Sequence, residues 1–259
     1  MSYLTAYCTD MGAAGKKNQD ALSIKTAAFM GNEYAMAAVC DGVGGLSEGE
    51  KASSYIIEML SEWFEKDFSE LLRKKADLSE IQKDLDENIH HFNDCLNSYA
   101  QSRGFLTATT LTAALFMPCK KKILIVNVGD TRCYRITDKS CEVLTNDHSV
   151  VGEKVRQGLL SEEKAGSDPR QNQITRCIGA GFKNTEYEYC ITDYQEGNCY
   201  MLCTDGFRKK ISSDEIMSAF SPAENISEEK LQRNTEYLTD LNLQRGETDN
   251  ITAAVIKIK

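Results

Sequence analysis

Apolar positions change their spacing several times along this chain, and each change predicts a change of secondary structure. Strands open it, and residues 34–40 are continuously apolar, with small side chains, up to Asp41-Gly42-Val43-Gly44-Gly45. A run of that kind stopped by a turn-forming cluster predicts a buried strand leading into a loop. From Ser53 the period becomes three and four: Ile57, Leu60, Phe64, Phe68, Leu71 and Leu72 share one face of an amphipathic helix. Leu78, Ile81, Leu85, Ile89, Phe92, Leu96 and Tyr99 repeat the pattern with charged residues between them, which predicts a second, antiparallel helix.

After Gly104 the β-branched content rises, and residues 107–116, 122–128 and 132–137 read as three strands in an antiparallel meander. The lysines at 120–122 are read as an exposed hairpin turn. Residues 147–169 keep no period and read as a loop with short helical turns, a flap over a site. Strands at 200–204 and 251–258 close the sequence, with a helix between them from near Ser227. Strands and helices come in runs instead of alternating, so the predicted fold class is α+β, not a doubly wound sheet.

Composition narrows the function. The chain has 259 residues, 41% of them hydrophobic, and only 3 prolines, enough for a large core with little linker, and no repeat divides it. One domain over 1–259 is expected. No leader pattern opens the sequence, and no run approaches the roughly 20 apolar residues of a membrane span, so a cytoplasmic protein with no membrane partner is expected. Ten cysteines are scattered without a C-x-x-C pair and read as reduced thiols with no structural zinc. A net charge of -9 argues against a nucleic-acid partner.

The candidate chemistry lies in aspartates. Three apolar runs end in Asp41-Gly42, Gly129-Asp130 and Asp205-Gly206, while Asp20 and Asp249 abut further strands. Each alone reads as a turn residue. Together, carboxylates converging on one edge would repel unless cations neutralised them, and oxygen-only donors select Mg²⁺ or Mn²⁺ over zinc. Gly42, without a Cβ, would let its carbonyl approach a cation.

At these residues the chain resembles the type 2C, metal-dependent serine/threonine phosphatase family in its bacterial single-domain form. The resemblance is carried in order by Asn18-Gln19-Asp20, Asp41-Gly42-Val43-Gly44-Gly45 with Gly49-Glu50, Thr109-Thr110 and Val128-Gly129-Asp130-Thr131-Arg132. It continues through Leu144-Thr145-Asn146-Asp147-His148-Ser149, Cys203-Thr204-Asp205-Gly206 and Asp249-Asn250-Ile251-Thr252. It implies a four-layer αββα sandwich, two central antiparallel sheets flanked by antiparallel helix pairs, with a flap near 147–170. By the same resemblance two Mn²⁺ or Mg²⁺ ions are held by Asp20, Asp41, the Gly42 carbonyl, Asp205 and Asp249, Asp41 bridging them. A third, weaker ion would use Asp130 with Asp205. The implied activity is hydrolysis of phosphoserine and phosphothreonine on proteins, opposing a serine/threonine kinase, through metal-activated water, by a monomer.

The chain departs from the family's pattern at Gly15, where an arginine that grips the substrate phosphate is usual. Lys16 or Lys17 is the candidate replacement. Ala108 and Asp168 also depart, standing where glycine and histidine are common. Gly15 motivates an alternative, a catalytically weak member that binds metal and a phosphoprotein partner as a regulatory module. His90, His91 and His148 are read as structural. A cysteine phosphatase is disfavoured because only four residues separate Cys203 from Arg208. No Asp-x-Asp pair follows an early strand, and no G-x-G-x-x-G turn is present.

Overall fold

The structure is a computed structural model that describes residues 2–14, 17–166, 168–182 and 185–259. It opens with strands β1 (Tyr3–Asp10), β2 (Asp20–Phe29) and β3 (Asn32–Asp41), followed by helices α1 (Gly49–Glu65), α2 (Asp67–Arg73) and α3 (Leu78–Arg103). Strands β4 (Ala108–Thr109), β5 (Leu111–Met117), β6 (Lys122–Val128), β7 (Arg132–Ile136) and β8 (Cys141–Val143) come next, then α4 (Val150–Arg156) and α5 (Glu162–Ala165). The rest is β9 (Ile178–Gly179), β10 (Glu188–Asp193), β11 (Cys199–Cys203), α6 (Asp205–Arg208), α7 (Ser213–Phe220), α8 (Glu228–Gln244) and β12 (Ile251–Ile258).

Two five-stranded antiparallel sheets, ordered β1-β12-β11-β7-β8 and β10-β6-β5-β3-β2, stack face to face. The alternation of side chains along a strand decides what lies on each face. In β3, Ala35, Ala37 and Val39 point between the sheets, where they meet Tyr200, Leu202 and Ile256. Met36, Ala38 and Cys40 point the other way, against Ile56, Leu60, Phe64 and Ile89 of α1 and α3. With both faces buried, the strand has to be apolar throughout, and this produces the unbroken run in the sequence. Across the molecule Ile216, Phe220, Leu231 and Leu238 of α7 and α8 cover Met201 and Val255. The layers are therefore helix, sheet, sheet, helix, the α+β sandwich expected.

Local signals set the helix ends. Asp77 and Glu80 form a capping box at the start of α3, Gly104 ends it in the left-handed conformation, and Ser227 caps α8. The described residues of 147–169 form α4, α5 and connecting turns, as expected. All ten cysteines are free. Among the described residues no helix is long and apolar enough to cross a membrane.

Two expectations need correction, and three elements were missed. The meander does not form: β6 pairs with β5 and β10, while β7 pairs with β8 and β11 in the other sheet. Both hydrogen-bonding edges of β6 are taken, so the chain crosses at Gly129-Asp130-Thr131 and β7 joins the facing sheet, where it packs across from β5. The strand at 107–116 breaks at Thr110, because Thr110 turns to bond Asp41. Helix α7 and strands β8 and β10 were not anticipated, although Ser212 and Glu215 form a capping box that a spacing of three could have revealed.

Candidate metal and phosphate site

The register of β2 on β3 sets Asp20 directly opposite Asp41. Like charges so placed are destabilising in a ladder unless something offsets them. The Asp41 backbone is clamped from the third strand over. Thr110 N donates to Asp41 O at 2.8 Å, Thr109 Oγ1 donates to the same oxygen at 2.9 Å, and Asp41 N donates to Thr110 Oγ1 at 2.9 Å. The paired threonines thus aim Asp41. Gly42 follows without room for a side chain: a Cβ there would lie 2.5 Å from Gly49 O and 2.8 Å from Gln19 O.

The opposite sheet supplies the other carboxylates. Asp205 opens α6 directly behind β11, and Asp249 stands two residues before β12, the neighbour of β11. Thr204 ties the two sheets together, its Oγ1 donating to Asp20 Oδ2 at 3.0 Å and accepting from Thr252 N at 3.1 Å. Asn250 does the same for the loops, accepting from Gln19 N at 2.8 Å and donating to Met11 O at 3.1 Å. Gly12 backs onto Asp249, where a Cβ would meet the Asp249 carbonyl oxygen at 2.1 Å. Asp130 enters from the crossover after β6, where Gly129 adopts φ +108 and packs on Thr110. His148 fixes that crossover, its Nδ1 accepting from Gly129 N at 3.2 Å. Its Nε2 lies 3.0 Å from Glu188. That is the structural role read from the sequence.

Five aspartates therefore converge, and their electrostatics show it. Desolvation, then Asp20, Asp205, Asp130 and Asp249, push the Asp41 carboxyl well above the usual carboxylate range. Desolvation pushes Asp20 up to about 7, opposed by the Thr252 and Thr204 hydroxyls and reinforced by Asp205 and Asp249. Asp130 likewise rises to about 7 through desolvation and Asp205, with Arg208 opposing. Burial lowers the proton affinity of His148 despite the opposing pull of Glu188.

The donors fit a hard cation. Asp20 Oδ1 and Asp205 Oδ1 are buried without a hydrogen-bond partner among the described residues. An unpaired buried carboxylate oxygen is costly, and a cation would relieve it. Among the described residues, no group of three or more His, Cys, Asp and Glu side chains closes round a single point. The arrangement is open, and backbone oxygen and water would have to complete any shell, as Mg²⁺ commonly requires.

Basic residues flank the cluster. Arg132 holds Asp147 with a two-pronged bond, Nε to Oδ1 at 2.7 Å and Nη2 to Oδ2 at 2.8 Å. Arg208 reaches Asp147 Oδ2 at 3.2 Å and Asp130 O at 3.1 Å. Lys209 Nζ lies 2.6 Å from Asp205 Oδ2 and 3.2 Å from Asp249 Oδ2. Although burial favours its neutral form, these carboxylates hold its proton affinity above the lysine range. A cleft of about 720 Å³ is lined by Asp205, Arg208 and Lys209 together with Gly152 and Arg156.

Of the residues singled out in the sequence, Asp20, Asp41, Gly42, Asp130, Asp205 and Asp249 are brought together. Gly15 and Lys16 lie outside the described residues. Lys17 is mostly exposed and its Nζ pairs with Glu50 at 2.6 Å. Cys203 is fully buried and its thiol is pushed up to about 12, chiefly by burial, which makes it a core residue and not a nucleophile. Thr204, Asn250 and Lys209 were given no role by sequence reasoning. Thr204 and Asn250 carried a signal only as members of the motifs quoted above, and Lys209 only by its spacing of four from Asp205.

Known proteins share this chain's sequence and architecture. The model of the family described as Protein phosphatase 2C matches residues 11–241. The Serine/threonine phosphatase stp of Listeria welshimeri is 32% identical over 221 residues, 85% of this chain and 82% of that protein. The solved serine/threonine phosphatase of S. agalactiae superposes with a TM-score of 0.82 at 28% identity, covering 99% of this chain and 100% of its own. The catalytic domain of serine threonine protein phosphatase PstP, solved in complex with 2 manganese ions, superposes with a TM-score of 0.77 at 25% identity, covering 99% of this chain and 98% of its own. On the sequence match and the shared architecture, this chain belongs to the protein phosphatase 2C family.

Proposed function

We propose that this protein is a metal-dependent protein serine/threonine phosphatase that hydrolyses phosphoserine and phosphothreonine monoesters. The observation that carries the reading is the convergence of five aspartates from both sheets, with two buried carboxylate oxygens unpartnered. Asp20, Asp41, the Gly42 carbonyl, Asp205 and Asp249 would hold two Mn²⁺ or Mg²⁺ ions, with Asp41 common to both. Asp130 and Asp205 would hold a third, weaker one. When bound, such ions activate water and offset the charge on phosphoryl oxygens.

The chain's own residues supply the rest. Thr109 and Thr110 orient Asp41, Thr204 orients Asp20 across the sheets, and Asn250 fixes the Asp249 turn against Gln19. Lys16 and Lys17 are the candidate phosphate contacts in place of an arginine at Gly15. The flap near 147–170 would form one wall of the phosphopeptide site. The substrates are read as cytoplasmic phosphoproteins opposed to a serine/threonine kinase, and the protein as a monomer formed by one domain over 1–259, with no nucleic-acid or membrane partner.

Hydrolysis of an aryl phosphate and a phosphothreonine peptide, measured with Mn²⁺ and with excess chelator, tests the reading. Turnover only with the metal supports it. Undiminished turnover in chelator refutes it. Peptide binding without turnover would instead support the regulatory module suggested by Gly15.

A further inference from the structure

Lys209 is unusual among the basic residues around the cluster because its partners are the cluster itself. Arg208, its neighbour in sequence, points to Asp147 and to the Asp130 carbonyl. Lys209 instead folds back one helical turn to Asp205 and also reaches Asp249, two carboxylates carried by different segments of the chain. Its side chain is only 21% exposed. One ammonium thus spans two of the carboxylates that a divalent cation would use.

The two cations are in conflict on physical grounds. Each carboxylate oxygen engaged by the ammonium is withdrawn from a metal, and where both bind, like charges a few ångströms apart repel by an amount that water screens poorly in a partly buried site. The ammonium also offsets the repulsion between Asp205 and Asp249, holding the α6 turn against the turn before β12.

We propose that Lys209 is an intrinsic competing cation: it holds Asp205 and Asp249 in an ion pair that a divalent cation must break or share, and thereby sets the metal affinity of the site. The inference rests on Asp205 and Asp249 being metal ligands. Metal binding is then an exchange of one cation for another, so the site keeps its shape at low metal and fills only above a threshold that Lys209 fixes. Lys209 is a positioning residue in this scheme and needs no contact with substrate.

Calorimetric titration of Mn²⁺ into wild-type protein, Lys209→Met and Lys209→Arg tests the proposal, with urea unfolding of each in chelator alongside. Lys209→Met should tighten Mn²⁺ binding by about tenfold or more, the effect of removing one unit charge beside a divalent ion. It should also lower the unfolding midpoint in chelator, whereas Lys209→Arg, which keeps the charge, should stay near wild type on both readouts. Lys209→Gln gives the same comparison if the methionine variant does not fold. An Mn²⁺ affinity that is unchanged or weaker in the neutral variants overturns the proposal while leaving the ligand assignment intact. Failure of the wild-type protein to bind Mn²⁺ at all overturns both.

Discussion

Replacing Thr204 with valine removes one hydroxyl from the joint between the sheets and leaves the volume nearly unchanged. The side chain is fully buried, donates to Asp20 Oδ2 at 3.0 Å and accepts from Thr252 N at 3.1 Å. A hydrogen bond to a charged group contributes about 1.5–3 kcal/mol, and a buried N–H left without a partner costs about 1–3 kcal/mol. The hydroxyl opposes the rise in the Asp20 pKa, so its removal also favours a proton over a metal ion on that carboxylate. Thr204→Val should therefore lose about 3 kcal/mol of unfolding free energy in Mn²⁺, where Asp20 must stay ionised, and weaken Mn²⁺ binding about tenfold or more. Thr204→Ser keeps the hydroxyl and should lie close to wild type. Urea unfolding in Mn²⁺ and calorimetric titration measure the two effects. A valine variant with wild-type midpoint and wild-type Mn²⁺ affinity would refute the claim that Thr204 aims Asp20.

Asp41→Asn and Asp205→Asn should each abolish turnover at saturating Mn²⁺ with the circular dichroism spectrum intact, and Asp41→Asn should raise the unfolding midpoint in chelator because it removes a desolvated, mutually repelling charge. Asp130→Asn should slow turnover at low metal more than at high metal, and an equal loss at both would exclude a third, weaker ion at that position. Gly42→Ala would press a Cβ to within 2.5 Å of the Gly49 carbonyl oxygen, which must move α1 or the turn, so a loss of about 2–3 kcal/mol and of turnover is expected. His148 has a lowered folded-state pKa, so the unfolded chain binds the extra proton and stability falls as pH drops through the unfolded value of about 6.5. His148→Gln should remove that part of the pH dependence, and identical acid titrations of unfolding for the two proteins would contradict it.

The sequence was most legible where a residue's neighbours in space are also its neighbours in period. The helical spacing of Ile57, Leu60 and Phe64 reads out the face that packs on β3, and the unbroken apolar run ending at Cys40 reads out a strand buried on both sides. Aspartates at strand ends were legible as a set because charge repulsion makes their convergence meaningful even before any coordinates. Pairing was not legible. Nothing in residues 122–137 records that β10, sixty residues on, occupies the free edge of β6 and sends β7 to the other sheet. The same holds for Thr204 and Asn250, whose partners Asp20 and Gln19 lie at the far end of the chain. Lys209 was hidden for a different reason: a lysine four residues after an aspartate is common on helices, and only the arrival of Asp249 from another segment makes it part of the site.

The central claim is that the aspartate cluster is a dinuclear metal site centred on Asp41. Anomalous diffraction from Mn²⁺-soaked crystals, collected on either side of the manganese edge, measures this directly. The account predicts two peaks, both within coordinating distance of the Asp41 carboxylate, one also against Asp20 and the Gly42 carbonyl and the other against Asp205 and Asp249. Peaks elsewhere, or none beside Asp41 in crystals of protein that turns over substrate with Mn²⁺, would contradict it.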